Sequence, residues 1–170
     1  LEGIESLPLP ISCIINKNNR GFGYACNQGA KGSDAHFLLF LNPDTVLEPE
    51  SLSEPCRFMC EPENEGVGIV GIKLYQEDGS TWCSCERFRT PLLFGLKLIG
   101  LADIFPRFIP SFTLGEDDLV DSREVDHVTG AFYFVRRSLF QSLNGFDERY
   151  FVYFEDLDFS LQACKAGWKS

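Results

Sequence analysis

Three apolar runs of strand length, at residues 11–15, 37–41 and 67–74, are each bounded by Gly, Asn, Asp or Pro turn material, and this spacing constrains the fold more than any other feature of the chain. A short Ala-containing segment at 23–30 fits a helix between the first two runs. A second helix is expected from Glu48 or Pro49 to about Met59, because proline is tolerated in a first turn and acidic residues suit the helix dipole there. Strand, helix, strand, helix, strand is the order produced by parallel crossovers, so the expectation is an α/β domain whose sheet is covered by helices.

Beyond residue 76 the pattern changes. Glu77-Asp78-Gly79-Ser80 reads as a tight turn leading into a strand at 81–88, together a hairpin. Residues 92–112 are apolar but interrupted by Gly95, Gly100, Pro106 and Pro110, which predicts a short amphipathic helix and an irregular loop. A strand at 125–135 ends in Arg136-Arg137 and gives way to a short helix through Leu143, stopped by Asn144-Gly145. Leu157, Leu161 and Cys164 recur at helical spacing in a last helix from Glu155-Asp156 to Ala166, with Gly167 as its stop.

The chain has 170 residues, enough for one domain spanning 1–170 with a sizeable core, and no linker or repeat divides it. Its net charge of -10 excludes broad nucleic-acid binding, which needs a basic footprint, so any phosphate ligand must be met locally by a metal ion or by aimed backbone amides. The seven cysteines are odd in number and lack paired C-x-x-C spacing, which reads as reduced, mostly buried thiols in a cytoplasmic protein. No apolar run approaches the roughly 20 residues of a membrane-spanning helix, and the opening residues carry no signal-peptide pattern, so a soluble, non-secreted chain is expected.

Three motifs could carry chemistry. Asn42-Pro43-Asp44-Thr45 follows the run at 37–41, and ligands of open α/β sheets bind at the carboxyl ends of strands. A carboxylate there can hold a hard divalent cation that bridges a diphosphate, although the same four residues also make an ordinary turn and helix cap. Asn19-Arg20-Gly21-Phe22-Gly23, with Asn27 a helical turn farther on, could let backbone amides approach a phosphate while Arg20 meets its charge, or serve simply as a loop before a helix. Glu155-Asp156-Leu157-Asp158 follows the aromatic run Tyr150-Phe151-Val152-Tyr153-Phe154. Carboxylates at a helix start are commonly dipole partners, yet one beside apolar rings loses hydration, and a raised pKa suits a general base. His127 could lie beside a bound sugar but is expected to be a satisfied structural residue, and Tyr24, Trp82 and Trp168 could stack on a sugar or base, although core packing is the ordinary expectation for such aromatics.

Taken in order, these motifs together with Val70-Gly71, Gly130-Ala131-Phe132 and Gly145-Phe146-Asp147-Glu148 resemble family 2 glycosyltransferases over nearly the whole chain, and the Asn-Pro-Asp form is similar to the rhamnosyltransferase-like branch. The resemblance implies the GT-A fold, with a mixed, mostly parallel central sheet flanked by helices and the first strand-helix unit missing. It implies a Mg2+ or Mn2+ ion and an inverting transfer of a sugar, rhamnose among the candidates, from a UDP- or dTDP-linked donor to a saccharide or lipid-linked acceptor. By the same resemblance Asp44 is the metal ligand and Asn42 takes the first place of the Asp-x-Asp-like motif. Asp156 is the catalytic base, and Glu155 with Gly130 and Ala131 lines the acceptor and donor-sugar pocket. Asn19, Arg20, Gly21, Phe22, Gly23 and Asn27 contact the nucleotide or diphosphate. A lipid-linked acceptor implies work at the inner face of the cytoplasmic membrane.

The chain also departs from that family. Relatives open with a strand and an acidic Ser- and Gly-containing loop that grips the base, which would lie before Leu1. They continue beyond the equivalent of Gly167-Trp168 into a segment with a histidine near the metal. His127 stands where an aromatic residue is usual. Two other readings compete: a sugar- or nucleotide-binding fragment without turnover, and a sugar nucleotidyltransferase, whose Gly-rich basic loop is not seen here.

Overall fold

A computed structural model describes residues 10–82, 84–88, 95, 98–100 and 121–170. The elements in chain order are helix α1 (Phe22–Ala30), strand β1 (Phe37–Leu41), helix α2 (Ser53–Cys60), a 3-10 turn (Pro62–Asn64), strands β2 (Ile69–Val70), β3 (Leu74–Tyr75), β4 (Thr81–Trp82), β5 (Cys85–Glu86), β6 (His127–Val128) and β7 (Phe132–Arg136), and helices α3 (Arg137–Ser142) and α4 (Glu155–Lys165).

β7 is the centre of the molecule because its residues are apolar on both faces. Phe132, Tyr133, Phe134 and Val135 are at most 4% exposed. The two-residue period of a strand sends Phe132 and Phe134 to one side, against Met59 of α2, and Tyr133 and Val135 to the other, against Phe140, Phe146 and Phe159. On that second side the rings of Phe40, Phe140, Phe146 and Phe159 meet with centroids 4.9 to 5.4 Å apart, in tilted and edge-on pairs that aromatic quadrupoles favour. Helices thus cover both faces of the sheet, as the element order predicts.

The ladders differ from expectation. β7 lies between β1 and β2 and is antiparallel to both, in the order β1-β7-β2, so β1 and β2 run parallel to each other without pairing. β3–β4 and β5–β6 are also antiparallel, and the parallel link among the described residues is a single bridge from Val67 to Lys169. A mostly parallel sheet would need further strands beyond β1. The run at 11–15 forms no strand: Ile11, Ile14 and Ile15 are 43, 57 and 77% exposed, and β-branched residues make no strand without a neighbouring ladder.

Other boundaries moved for local reasons. α2 starts at Ser53 rather than near Glu48: residues 49–52 form turns, with the Ser51 amide donating to the Glu48 carbonyl at 3.0 Å, and the second proline, Pro55, falls in the first turn of the helix, where its missing amide forfeits no helical bond. The run at 67–74 breaks into β2 and β3 where a Cβ on Gly71 would sit 2.8 Å from Val128 Cγ1. The hairpin is present, with Gly79 at φ 81° and Asp78 Oδ1 accepting from the Ser80 amide at 2.9 Å. The strand at 81–88 divides into β4 and β5, and that at 125–135 into β6 and β7. Asn144 and Gly145, at φ 62° and 77°, end the short helix, and Gly167 at φ 88° follows the last one. Trp168 packs on the core but Trp82 is 44% exposed, contrary to the ordinary expectation, and the described thiols are not mostly buried: Cys13, Cys60 and Cys164 are exposed and Cys26 and Cys56 half-buried, since they fall on loops and on the outer sides of helices. The segment 92–112 lies almost wholly outside the described residues. No helix among the described residues is long and apolar enough to cross a membrane.

Candidate functional site

The antiparallel pairing of β1 with β7 brings the carboxyl end of one against the amino end of the other. Leu41 sits opposite Phe132, and one step farther the Asn42 amide donates to the Ala131 carbonyl at 3.1 Å. Asn42-Pro43-Asp44 and Gly130-Ala131 therefore share one corner. The break between β6 and β7 falls at this corner and frees the Gly130 amide, which donates to Asp156 Oδ2 at 2.7 Å. A Cβ at Gly130 would approach that oxygen to 3.2 Å, so glycine lets the carboxylate come this close to the backbone.

Asp156 is held from several directions. Its Oδ1 accepts from the Leu157 amide at 2.8 Å, and its side chain is 17% exposed. Behind it lie His127, whose Nε2 is 3.9 Å from Oδ2, and then Ser160 and Tyr133. His127 is buried and hydrogen-bonded, as a structural histidine should be, but it also faces the candidate base. Ser160 and Tyr133 escaped the sequence reading; the available signal was that Ser160 stands four residues after Asp156, one helical turn away.

Glu155 points elsewhere. It is 6% exposed, and its Cβ lies 3.7 Å from where a Cβ on Gly23 would be, so it sits beneath α1 rather than beside Asp156 in the corner. Burial, and secondarily the charge of Asp156, raises its pKa, and Oε2 has no hydrogen-bond partner among the described residues. Burial and the Glu155 charge also push the neighbouring Cys26 thiol up to about 12. The aromatic run does not supply the desolvation expected of it. Phe151, Tyr153 and Phe154 are 56, 74 and 59% exposed, with Tyr153 and Phe154 at φ 63° and 70°.

The Asn19–Gly23 loop reaches the same region by its backbone. The Phe22 amide donates to the Phe151 carbonyl at 3.2 Å, and a Cβ on Gly21, at φ 97°, would lie 2.3 Å from that oxygen. Asn19 Oδ1 accepts from the Gly21 amide at 3.0 Å, shaping the turn. Arg20 stacks 3.8 Å above the Tyr24 ring and pairs with Glu148 at 3.4 Å. Asn27 is a structural clasp: its Nδ2 donates to the Phe146 carbonyl and its Oδ1 accepts from the Phe146 amide, each at 2.9 Å, while Nδ2 also reaches Glu148 at 3.2 Å. Those bonds commit the amide to the fold.

Asp44 is exposed, and its carboxylate makes no hydrogen bond to the described residues. No group of three or more His, Cys, Asp or Glu side chains converges on a metal position among the described residues. That donor set fits an ion held by one carboxylate and otherwise by substrate phosphates and water, a common arrangement for Mg2+. A cleft of about 810 Å³ opens instead between α2, β2 and the stretch 121–125, and contains none of these residues.

Comparison with known proteins identifies the family. Residues 37–170 match the family described as Glycosyl transferase family group 2. The N-acetylglucosaminyl-diphospho-decaprenol L-rhamnosyltransferase of Mycobacterium tuberculosis is 30% identical over 164 residues, covering 89% of this chain and 52% of that protein. Rhamnosyltransferase WbbL of Escherichia coli is 26% identical over 152 residues, 89% of this chain and 54% of the relative. The O-antigen biosynthesis protein RfbC of Myxococcus xanthus is 32% identical over 141 residues, 80% of this chain but 10% of that longer protein. The chain thus spans about half the length of the two rhamnosyltransferases it matches. With the motif order, the helix-covered sheet and the family match in agreement, the chain belongs to the family 2 glycosyltransferases, with rhamnosyltransferases among the proteins it is similar to, and so to the α/β GT-A fold.

Proposed function

We propose that this chain carries the catalytic core of an inverting glycosyltransferase that moves a sugar from a nucleoside-diphosphate donor to a hydroxyl of a saccharide or lipid-linked saccharide. The observation that carries this reading is the Asp156 carboxylate, oriented by the Gly130 and Leu157 amides at 2.7 and 2.8 Å beside the corner that also holds Asn42-Pro43-Asp44. Each oxygen keeps lone-pair capacity for one more proton donor.

An acceptor hydroxyl placed against Asp156 gives its proton to the carboxylate as its oxygen bonds to the anomeric carbon. The bond from that carbon to the diphosphate oxygen breaks, and its electron pair leaves with the nucleoside diphosphate. Attack opposite the leaving group inverts the centre with no sugar-enzyme intermediate. Asp44 would hold Mg2+ or Mn2+, which when bound supplies charge neutralisation on the departing diphosphate. Most of the acceleration comes from holding the two reactants in register. The Mycobacterium relative acts, by its name, on a diphospho-decaprenol carrier as an L-rhamnosyltransferase, and L-rhamnose carried on UDP or dTDP is the sugar this reading favours. A lipid-linked acceptor would bring the chain to the inner face of the cytoplasmic membrane.

Calorimetric titration with UDP and with dTDP, in manganese and in EDTA, tests the donor half. The expected result is metal-dependent binding that Asp44→Ala loses. Nucleotide binding indifferent to metal and to Asp44→Ala would overturn the assignment of Asp44.

A further inference from the structure

We infer that His127 is a positioning residue for Asp156, fixed in one tautomer by a buried chain of hydroxyls from Tyr133 through Ser160, so that its Nε2–H faces the carboxylate. The inference rests on the reading of Asp156 as the base. It goes beyond that reading by adding a device behind the base.

The chain of contacts is short and enclosed. Tyr133 is fully buried, and burial raises its pKa strongly, so the phenol keeps its proton and is available as a donor. Its oxygen lies 2.8 Å from Ser160 Oγ and 3.5 Å from the Asp156 carbonyl, and the shorter contact is the better bond. With the phenol donating to Ser160, the serine hydroxyl is free to donate to His127 Nδ1 at 3.2 Å. A neutral imidazole that accepts at Nδ1 carries its proton on Nε2, the atom 3.9 Å from Asp156 Oδ2.

Against Asp156 the opposite order is the less favourable one. If Nδ1 donated to Ser160, the Nε2 lone pair would face a carboxylate across 3.9 Å in a buried setting, where such repulsion is poorly screened. The favoured order puts a positive edge there instead. At that distance the contact is an electrostatic one rather than a hydrogen bond, and it leaves the carboxylate's lone pairs available to the acceptor. His127 is at the start of β6 and Ser160 and Asp156 are one turn apart on α4, so the chain also fixes how the helix docks on the strand.

The sequence contains two histidines, His36 and His127, which makes the test direct. Imidazole ¹⁵N shifts are recorded on ¹⁵N-histidine-labelled protein at a pH where the rings are neutral, with His36→Gln assigning the signals. The expected result is a dominant Nε2–H tautomer at His127 that relaxes to a mixture in Tyr133→Phe, and likewise in Ser160→Ala. A dominant Nδ1–H tautomer, or a tautomer unmoved by both variants, would overturn the inference. His127→Phe is expected to lower kcat roughly tenfold, as loss of an outer-shell orienting partner does, with the donor KM nearly unchanged and partial rescue by His127→Gln. An unchanged kcat would overturn it as well. Full transfer by Asp156→Asn sinks the base itself, whereas the wrong tautomer with Asp156→Asn inactive sinks this inference alone.

Discussion

Asp44 and Asp156 stand near one corner of the sheet and are treated oppositely by the fold. Asp44 is exposed after β1, with no protein donor on its carboxylate among the described residues. Asp156 is gripped by two backbone amides, backed by His127, and largely covered. The difference matches the two tasks proposed for them. A carboxylate that completes an ion's shell only when a diphosphate arrives can stay mobile until then, at a cost of about 1 kcal/mol in side-chain entropy on binding. A carboxylate that must receive a proton in the transition state gains from being placed beforehand.

The largest test of this contrast is Asp156→Asn, which keeps size and hydrogen-bonding shape but cannot take the proton. Transfer is expected to fall by about 10³-fold, within the range for general-base catalysis, while calorimetry shows donor affinity within twofold of wild type. A parallel loss of donor affinity would erase the division of labour between the two carboxylates.

Gly21→Ala probes how the glycine loop is tied to the segment before Asp156. The backbone at φ 97° is disfavoured for alanine, and the new Cβ would collide with the Phe151 carbonyl oxygen. A destabilisation of about 2–3 kcal/mol is expected, seen as a lower urea midpoint with an unchanged slope. An unchanged midpoint would mean that the Phe22–Phe151 contact does not hold in solution.

Why some of this could be read from sequence and some could not is clear at particular residues. The runs at β1 and β7 were legible because continuous apolar character and flanking turn residues need no partner to be recognised. The run at 11–15 has the same character but finds no ladder among the described residues, and pairing is a tertiary fact. Asp156 and Gly130 could be named from motif order, but the 2.7 Å bond joining them spans 26 residues and depends on the break between β6 and β7. The clasp between Asn27 and Phe146 could not be read in the same way, because the two residues are 119 apart in sequence. Glu155 and Asp156 are adjacent and chemically alike, yet the helix turn sends one under α1 and the other to the corner.

Glu155→Gln sharpens that last distinction. Burial raises the folded-state pKa of Glu155 above its unfolded value, so the folded chain binds this proton more tightly. The side chain therefore costs no stability while protonated in both states, and stability falls as pH rises through its unfolded and then its folded pKa. Substitution by glutamine should leave the melting temperature little changed below the ordinary carboxylate range and raise it at neutral pH. A variant that melts lower at neutral pH would show that the charged form is stabilised by a partner.

The smallest effect belongs to the exposed lead-in to Asp156. Tyr153 is 74% exposed and holds φ 63°, a left-handed conformation that costs a tyrosine on the order of 1 kcal/mol and an asparagine less. Tyr153→Asn is expected to gain about 0.5 kcal/mol in urea unfolding, since little packing is lost. Local strain in a bulky residue persists only where surrounding structure holds it, and here, beside Asp156, the Phe151 carbonyl bonded to Phe22 and the first turn of α4 clamp the segment from both sides. If the strained aromatic serves the acceptor, the more stable variant will transfer more slowly with an unchanged donor affinity. If both stability and transfer improve, the conformation belongs to the connection alone, and the acceptor is positioned by Asp156 and Gly130-Ala131 without it.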